Sequence, residues 1–140
     1  MSAVLLDTGV IVASLDRSER FHERCAETIA GTSSALVTCE AVVAESCYLL
    51  RNVKGAAAAV VANVAAGIFQ IPFSLTTSAE QVGDLLRKYS DSGIDFADAC
   101  LIQLATDFHI PDILTLDRDF EHYRWGRNKA FRMLVPLDGR

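Results

Sequence analysis

Val4-Leu5-Leu6 runs straight into Asp7-Thr8-Gly9-Val10-Ile11-Val12-Ala13-Ser14-Leu15-Asp16, and this opening decides the fold. Three apolar residues in a row, cut off by an acid and followed by a helical pattern, have the character of a strand buried on both faces. Similar runs recur at Ala35-Leu36-Val37-Thr38, Ile68-Phe69-Gln70-Ile71, Asp112-Ile113-Leu114-Thr115 and Met133-Leu134-Val135-Pro136. Between them the periodicity predicts helices over 8–16, 20–30, 39–53, 55–67, 77–90 and 95–109. Thr38 stands where a cap for the third would be, and Ser78 with Gln81 where the fifth would open. Strands alternating with helices give a three-layer α/β/α sandwich around a central, mainly parallel five-stranded sheet. No repeat, linker or low-complexity segment divides it, so residues 1–140 are expected to form a single domain. Sheets of this kind bind ligands beyond the carboxyl ends of their strands, where the strand order reverses. The residues just after each strand therefore matter most.

Working outward, the 140 residues are 51% hydrophobic and 22% charged, with eight Gly and three Pro, which excludes disorder, collagen and a long coiled coil. Thirteen Lys and Arg against 18 Asp and Glu leave a net charge of -5. That disfavours a general polyanion binder but leaves room for a local basic patch. Cys25, Cys39, Cys47 and Cys100 form no CxxC pair and read as reduced thiols of a cytosolic protein, neither a disulfide frame nor a zinc site. Asp7 arrives before any signal-peptide core could form, and Ala56 to Phe69, interrupted by Asn63 and Gly67, is shorter than the ~20 residues that span a bilayer. A cytoplasmic chain without membrane attachment is expected.

Asp7 directly follows the first strand and Asp117 the fourth, so both belong at the ligand edge. For either alone, a helix N-cap or first-turn acid is an equally good account. Glu45 has Ala41, Val42, Tyr48 and Leu49 at i-4, i-3, i+3 and i+4, which sets a carboxylate into the apolar stripe expected to face the sheet. A charge there needs a cation or a proton. Glu40 suits the first turn of the same helix. Asp95 caps the sixth helix and leaves Asp98 at the third position, where a capping box would serve. Yet Asp98 shares its face with Leu101, Ile102 and Ala105, a poor place for a merely solvated acid. Four carboxylates from four elements repel one another unless a divalent cation neutralises them, and all-oxygen ligands suit Mg²⁺ or Mn²⁺. His22, His109 and His122 lack zinc-site spacing, and no GxGxxG, GxxxxGK[ST] or GxSxG motif occurs.

Over nearly its whole length the chain resembles the PIN-domain ribonucleases, which have a Rossmann-like sheet, and within them the VapC-like toxins of toxin–antitoxin pairs. The resemblance rests on Leu6-Asp7-Thr8, Ala44-Glu45 with Tyr48-Leu49-Leu50, Asp95-Phe96-Ala97-Asp98-Ala99 with Leu101-Ile102, and Thr115-Leu116-Asp117-Arg118-Asp119-Phe120, in that order and spacing. It implies that Asp7, Glu45, Asp98 and Asp117 are the catalytic, metal-holding quartet. Thr8 and Thr115 become supporting hydroxyls, and Asp95 and Asp119 outer acids. Gly9 departs from the Ser or Asn of many relatives. The implied activity is a Mg²⁺- or Mn²⁺-dependent endoribonuclease, a phosphodiester hydrolase acting as a toxin and held by a small antitoxin. A homodimer is also implied, and the Ala-rich stretch from Ala56 to Ala66, apolar around most of its circumference, suits it.

For RNA, the candidates are Arg17 and Arg20 near the second helix, joined by Arg24, and Arg118, Arg124 and Arg127 in a basic C-terminal stretch with Lys129, Arg132 and Arg140. Tyr123 and Trp125 are interleaved there, and arginines with aromatics suit single-stranded RNA. The plainer account is a solvated basic tail whose Trp packs on the core. Leu15 and Phe21 are candidate apolar anchors for a partner. Two other functions compete: a non-catalytic PIN-like domain that binds RNA or protein, and an acidic-site module of receiver or phosphatase type. A receiver needs an acceptor Asp after the third strand and a Lys after the last, and a dehalogenase-type phosphatase needs DxD after the first. Ile71-Pro72-Phe73-Ser74, Pro136-Leu137-Asp138 and Asp7-Thr8-Gly9 supply none of these.

Overall fold

In the computed structural model, residues 2–135 are described; Pro136, the end of the last expected strand, and Asp138 and Arg140 lie outside them. The expected sheet is there. Strands β1 (Ala3–Leu6), β2 (Ala35–Val37), β3 (Phe69–Gln70), β4 (Asp112–Leu114) and β7 (Arg132–Met133) lie in the order β3-β2-β1-β4-β7, and every neighbouring pair is parallel. Helices α1 (Thr8–Leu15), α2 (His22–Gly31), α3 (Glu40–Leu49), α4 (Ala56–Ala65), α5 (Leu75–Lys88) and α6 (Phe96–Phe108) supply the crossovers. From β1 to β3 the chain moves one way across the sheet, and from β3 to β4 it returns. Around the sheet α1 packs on α2 and α3, α3 on α4 and α6, and α5 on α6. The reversal falls between β1 and β4, whose register pairs Leu5 with Ile113 and Leu6 with Leu114.

The core explains why strands this short persist. Leu5, Leu6, Ile11, Leu101, Leu104, Ile113 and Leu114 are all but completely buried. Each such side chain contributes roughly 1.5–3 kcal/mol relative to exposure. Helix α6 is buried continuously from Ala97 to Ala105, which makes it a central rather than an outer helix.

Three local expectations need correction. Thr38 does not cap α3: its hydroxyl donates to the Leu6 carbonyl at 2.7 Å, locking β2 to β1, and Cys39 occupies the cap with no side-chain bond. Helix α5 opens at Ser74, whose hydroxyl accepts from the Thr77 amide, while Ser78 sits at a kink (φ -112°, ψ 15°) and donates to Asp107 at 2.8 Å. The basic C-terminal stretch is an antiparallel hairpin, β5 (Arg124–Trp125) with β6 (Lys129–Ala130), turning through Gly126 and Asn128 in the left-handed region. Cys25, Cys39, Cys47 and Cys100 are free thiols, three of them buried.

Candidate active site

Two acids of the expected quartet, Asp7 and Asp117, cap elements just beyond β1 and β4; Asp98 lies in the first turn of α6 and Glu45 in the middle of α3. Asp7 leaves β1 as the N-cap of α1, and its Oδ1 accepts from the Thr8 amide at 2.7 Å. Its Oδ2 accepts from the Thr115 hydroxyl at 2.6 Å. Thr115, fully buried just beyond β4, accepts in turn from the Asp117 amide at 3.0 Å. One hydroxyl thus ties the exits of the two central strands together. Asp117 caps the 3-10 turn Arg118–Glu121, its Oδ1 accepting from the Asp119 amide at 2.9 Å.

Asp98 comes from the first turn of buried α6 and is 8% exposed. Its amide donates to Asp95 at 2.8 Å, so Asp95 is the expected cap. Glu45 comes from α3, and the Thr8 hydroxyl donates to its Oε1 at 2.8 Å. Its surroundings differ from the expected apolar stripe. Tyr48 and Leu49 are more than half or half exposed, and the buried face of α3 is Val42 and Ser46, so Glu45 stands half-buried at the rim. The stripe misleads because α3 packs on α1, α4 and α6, and burial follows those neighbours more than the sheet.

The four carboxylates share a pocket of about 310 Å³ with Thr8, Gly9 and Asp95, walled by Leu49 and Leu116. Among the described residues no Lys, Arg, His or Cys lines it. The ion pairs made by Arg87, Arg118 and Arg132 go to Asp84, Glu121 and Asp112, none of them pocket acids. Burial and like charge therefore act unopposed by any cation of the lining. Burial, assisted by the charges of Asp117 and Glu45 and opposed by the Thr115 and Thr8 hydrogen bonds, pushes Asp7 up to about 6. Burial, and then the charges of Asp7, Asp95, Asp117 and Glu45, push Asp98 up to about 8.

This donor set fits a hard divalent cation in chemistry: carboxylate and hydroxyl oxygens, with no soft ligand. Among the described residues no three acid, imidazole or thiol groups stand close enough together to hold a metal ion as placed. The acids are held around the pocket, each carboxylate given at least one protein donor.

A model of the PIN domain matches residues 4–126, nearly all of the described chain and every acid of the pocket. The chain belongs to the PIN-domain family. This PIN domain is 34% identical over 138 residues to Ribonuclease VapC26 of Mycobacterium tuberculosis, covering 97% of this chain and 95% of that one. It is similar in fold to the crystal structure of M. tuberculosis VapC20, a sarcin-ricin loop cleaving toxin. The TM-score is 0.82 at 19% identity, over 95% of this chain and 99% of that one.

The remaining candidates of the PIN domain are more scattered. Asp119 is exposed in its 3-10 turn and does not line the pocket. Arg17 and Arg20 border a separate, larger depression of about 900 Å³ in which the Arg20 and Arg24 guanidinium groups lie 5.1 and 5.6 Å from the centre of the Phe21 ring. Arg118 pairs with Glu121, and Arg124 donates to the carbonyls of Glu121 and Tyr123, so both guanidinium groups brace the 3-10 turn. Arg127 is exposed in the hairpin turn. The interleaved aromatics are not a stacking surface: Trp125 is buried with its Nε1 donating to the Ala130 carbonyl, and Tyr123 is 1% exposed. Leu15 lines a different groove, and Phe21 lies under its arginines, so neither flanks the pocket. The exposed apolar residue that does is Leu49, in its wall. The Tyr123 hydroxyl, 3.5 Å from Asp98, is the neighbour of the quartet that sequence reasoning assigned to other work.

Proposed function

We propose that this chain, as one nuclease domain, is an endoribonuclease whose Asp7, Glu45, Asp98 and Asp117 hold Mg²⁺ or Mn²⁺, and that it acts in the cytoplasm as the toxin of a toxin–antitoxin pair. The carrying observation is the convergence of four acids from four elements on one pocket that, among the described residues, no cationic side chain lines. Kinship with a named ribonuclease along 97% of the chain supports the same reading. Among the described residues no helix is long and apolar enough to cross a membrane.

When bound, such a cation supplies charge neutralisation at the phosphate and a water polarised for attack. The chain's own part is preorganisation. Thr115 fixes Asp7 relative to the Asp117 backbone, Thr8 fixes Glu45, and the cap at Asp95 fixes the first turn that carries Asp98. Water adds to phosphorus, the bond to the 3′ oxygen breaks, and that oxygen takes up a proton. The 2′-hydroxyl is not the nucleophile, so the fragments carry 5′-phosphate and 3′-hydroxyl ends. The test is a panel of RNAs incubated with Mg²⁺, with Mn²⁺ and with chelator. Cleavage with those ends, abolished by chelator, is expected; cyclic phosphate ends or full activity in chelator would contradict it.

The same pocket suits an antitoxin. A Lys or Arg from a partner segment, inserted among the acids, gains charge-assisted hydrogen bonds and competes with the cation. Leu49, exposed in its wall, offers apolar anchorage. Binding of the product of a neighbouring gene should therefore weaken in Mg²⁺ and in a variant carrying Asp7→Asn, Asp98→Asn and Asp117→Asn. Equal binding in all these conditions would place inhibition elsewhere.

A further inference from the structure

We infer that Tyr123 is a positioning residue for Asp98, a buried hydroxyl by which the loop leaving β4 orients the acid supplied by α6. The inference rests on the proposed cation site. The other three acids each receive a short bond: Asp7 from Thr115 at 2.6 Å, Glu45 from Thr8 at 2.8 Å and Asp117 from the Asp119 amide at 2.9 Å. For the Asp98 carboxylate the side-chain donor is the Tyr123 hydroxyl, 3.5 Å from Oδ2. That is long for a hydroxyl donor, so the contact steers the carboxylate more than it clamps it.

What makes the contact more than proximity is how the ring is held. Tyr89 and Phe120 meet it edge-on, each with centroids 5.0 Å away, and Phe131 backs Phe120 at 5.3 Å. Such edge-to-face packing fixes the ring plane. The amides of Tyr123 and His122 both donate to the Asp119 carbonyl, so the hydroxyl's position follows from the same 3-10 turn that Asp117 caps. Two acids are thus set by one loop, Asp117 at its start and Asp98 across the pocket through Tyr123. A carboxylate 8% exposed has few waters to orient it, so a fixed protein donor decides which way its free oxygen faces.

Tyr123→Phe removes the hydroxyl and keeps the packed ring. The measurement is calorimetric titration of the whole protein with Mn²⁺ alone, beside melting temperature and steady-state cleavage of an RNA oligonucleotide. Expected are a melting temperature close to wild type, Mn²⁺ affinity about tenfold weaker, and a fall in kcat of similar size with KM for RNA unchanged. Tyr89→Phe is the packing control: it deletes a hydroxyl that accepts from the Arg124 amide and touches no acid, and it should leave Mn²⁺ affinity alone. Should Tyr123→Phe lose stability, Mn²⁺ titration below its melting transition decides, and Tyr123→Phe added to Asp98→Asn should then change nothing further. Wild-type Mn²⁺ affinity in Tyr123→Phe, with Asp98→Asn abolishing binding, overturns the inference and leaves the site standing. Equal weakening by Tyr89→Phe overturns it in favour of packing. Undiminished Mn²⁺ binding and cleavage in Asp98→Asn overturns the site and the inference together.

Discussion

At the residue scale, the acids that sequence spacing singled out are those the fold gathers, and their titration shows what the gathering costs. Asp7 and Asp98 are pushed up to about 6 and about 8, above the value each would have in the unfolded chain. The neutral form is favoured by folding, so this contribution to stability is complete below about pH 4 and is lost as pH rises through the two folded values. For Asp7 the loss at pH 7 is on the order of 2–3 kcal/mol in metal-free buffer. Asp98→Asn should therefore gain melting temperature over wild type as pH rises from 4 to 8 without metal, with little difference at the acid end. A constant difference across that range would show that Asp98 ionises freely. Asp98 is the cleaner site for this test, because Asn at position 7 would set an amide against the Thr115 hydroxyl that already accepts from Asp117. Asp98 was legible because its face continues into Leu101 and Ile102. Glu45 was legible as an anomaly but misplaced, since periodicity along one helix cannot say whether the sheet or another helix covers a face. Tyr123 went unread because the pattern marks a Tyr among arginines as readily for stacking as for the core.

At the element scale, strands and helices stand out where apolar runs are long enough to carry a period. The short pieces do not. Arg124–Trp125 and Lys129–Ala130 are two-residue strands with no alternation to detect, and their turn depends on Gly126 and Asn128 taking positive φ. The start of α5 moved because Ser74 rather than Ser78 caps it, leaving Ser78 to share Asp107 with Gln103 on α6. Helix α4 matches its expected range closely and leaves Ala58, Val61, Ala62 and Ala65 exposed at i, i+3, i+4 and i+7. That unpartnered apolar face is the one we propose for homodimerisation. Light scattering at micromolar concentration should give twice the chain mass, and Val61→Glu should halve it without lowering helicity. A monomeric wild type would remove this face from the account.

At the scale of the whole molecule, the site is a consequence of topology. Parallel strands all end on one edge, and the reversal between β1 and β4 leaves a crevice there. Asp7 and Asp117 line it from the ends of these two strands, and α3 and α6, packed on each other, bring Glu45 and Asp98. Alternating short apolar runs and helical patterns sufficed for the parallel sandwich and its ligand edge, while the strand order, and with it the place of the reversal, needed the structure. Surface placement was harder to derive. Arg17 and Arg20 lie on a depression of their own, and the path of RNA depends on side-chain positions that no period encodes. The central claim is that the four acids act as one cation-dependent cleavage site. It is tested most directly by single-turnover cleavage of one RNA substrate by wild type, Asp7→Asn, Glu45→Gln, Asp98→Asn and Asp117→Asn, in Mg²⁺ and in chelator. The account predicts that chelator silences the wild type and that each substitution lowers the rate at least about a hundredfold while the protein stays folded. Cleavage persisting in chelator, or in a folded variant of any one of the four, would contradict it.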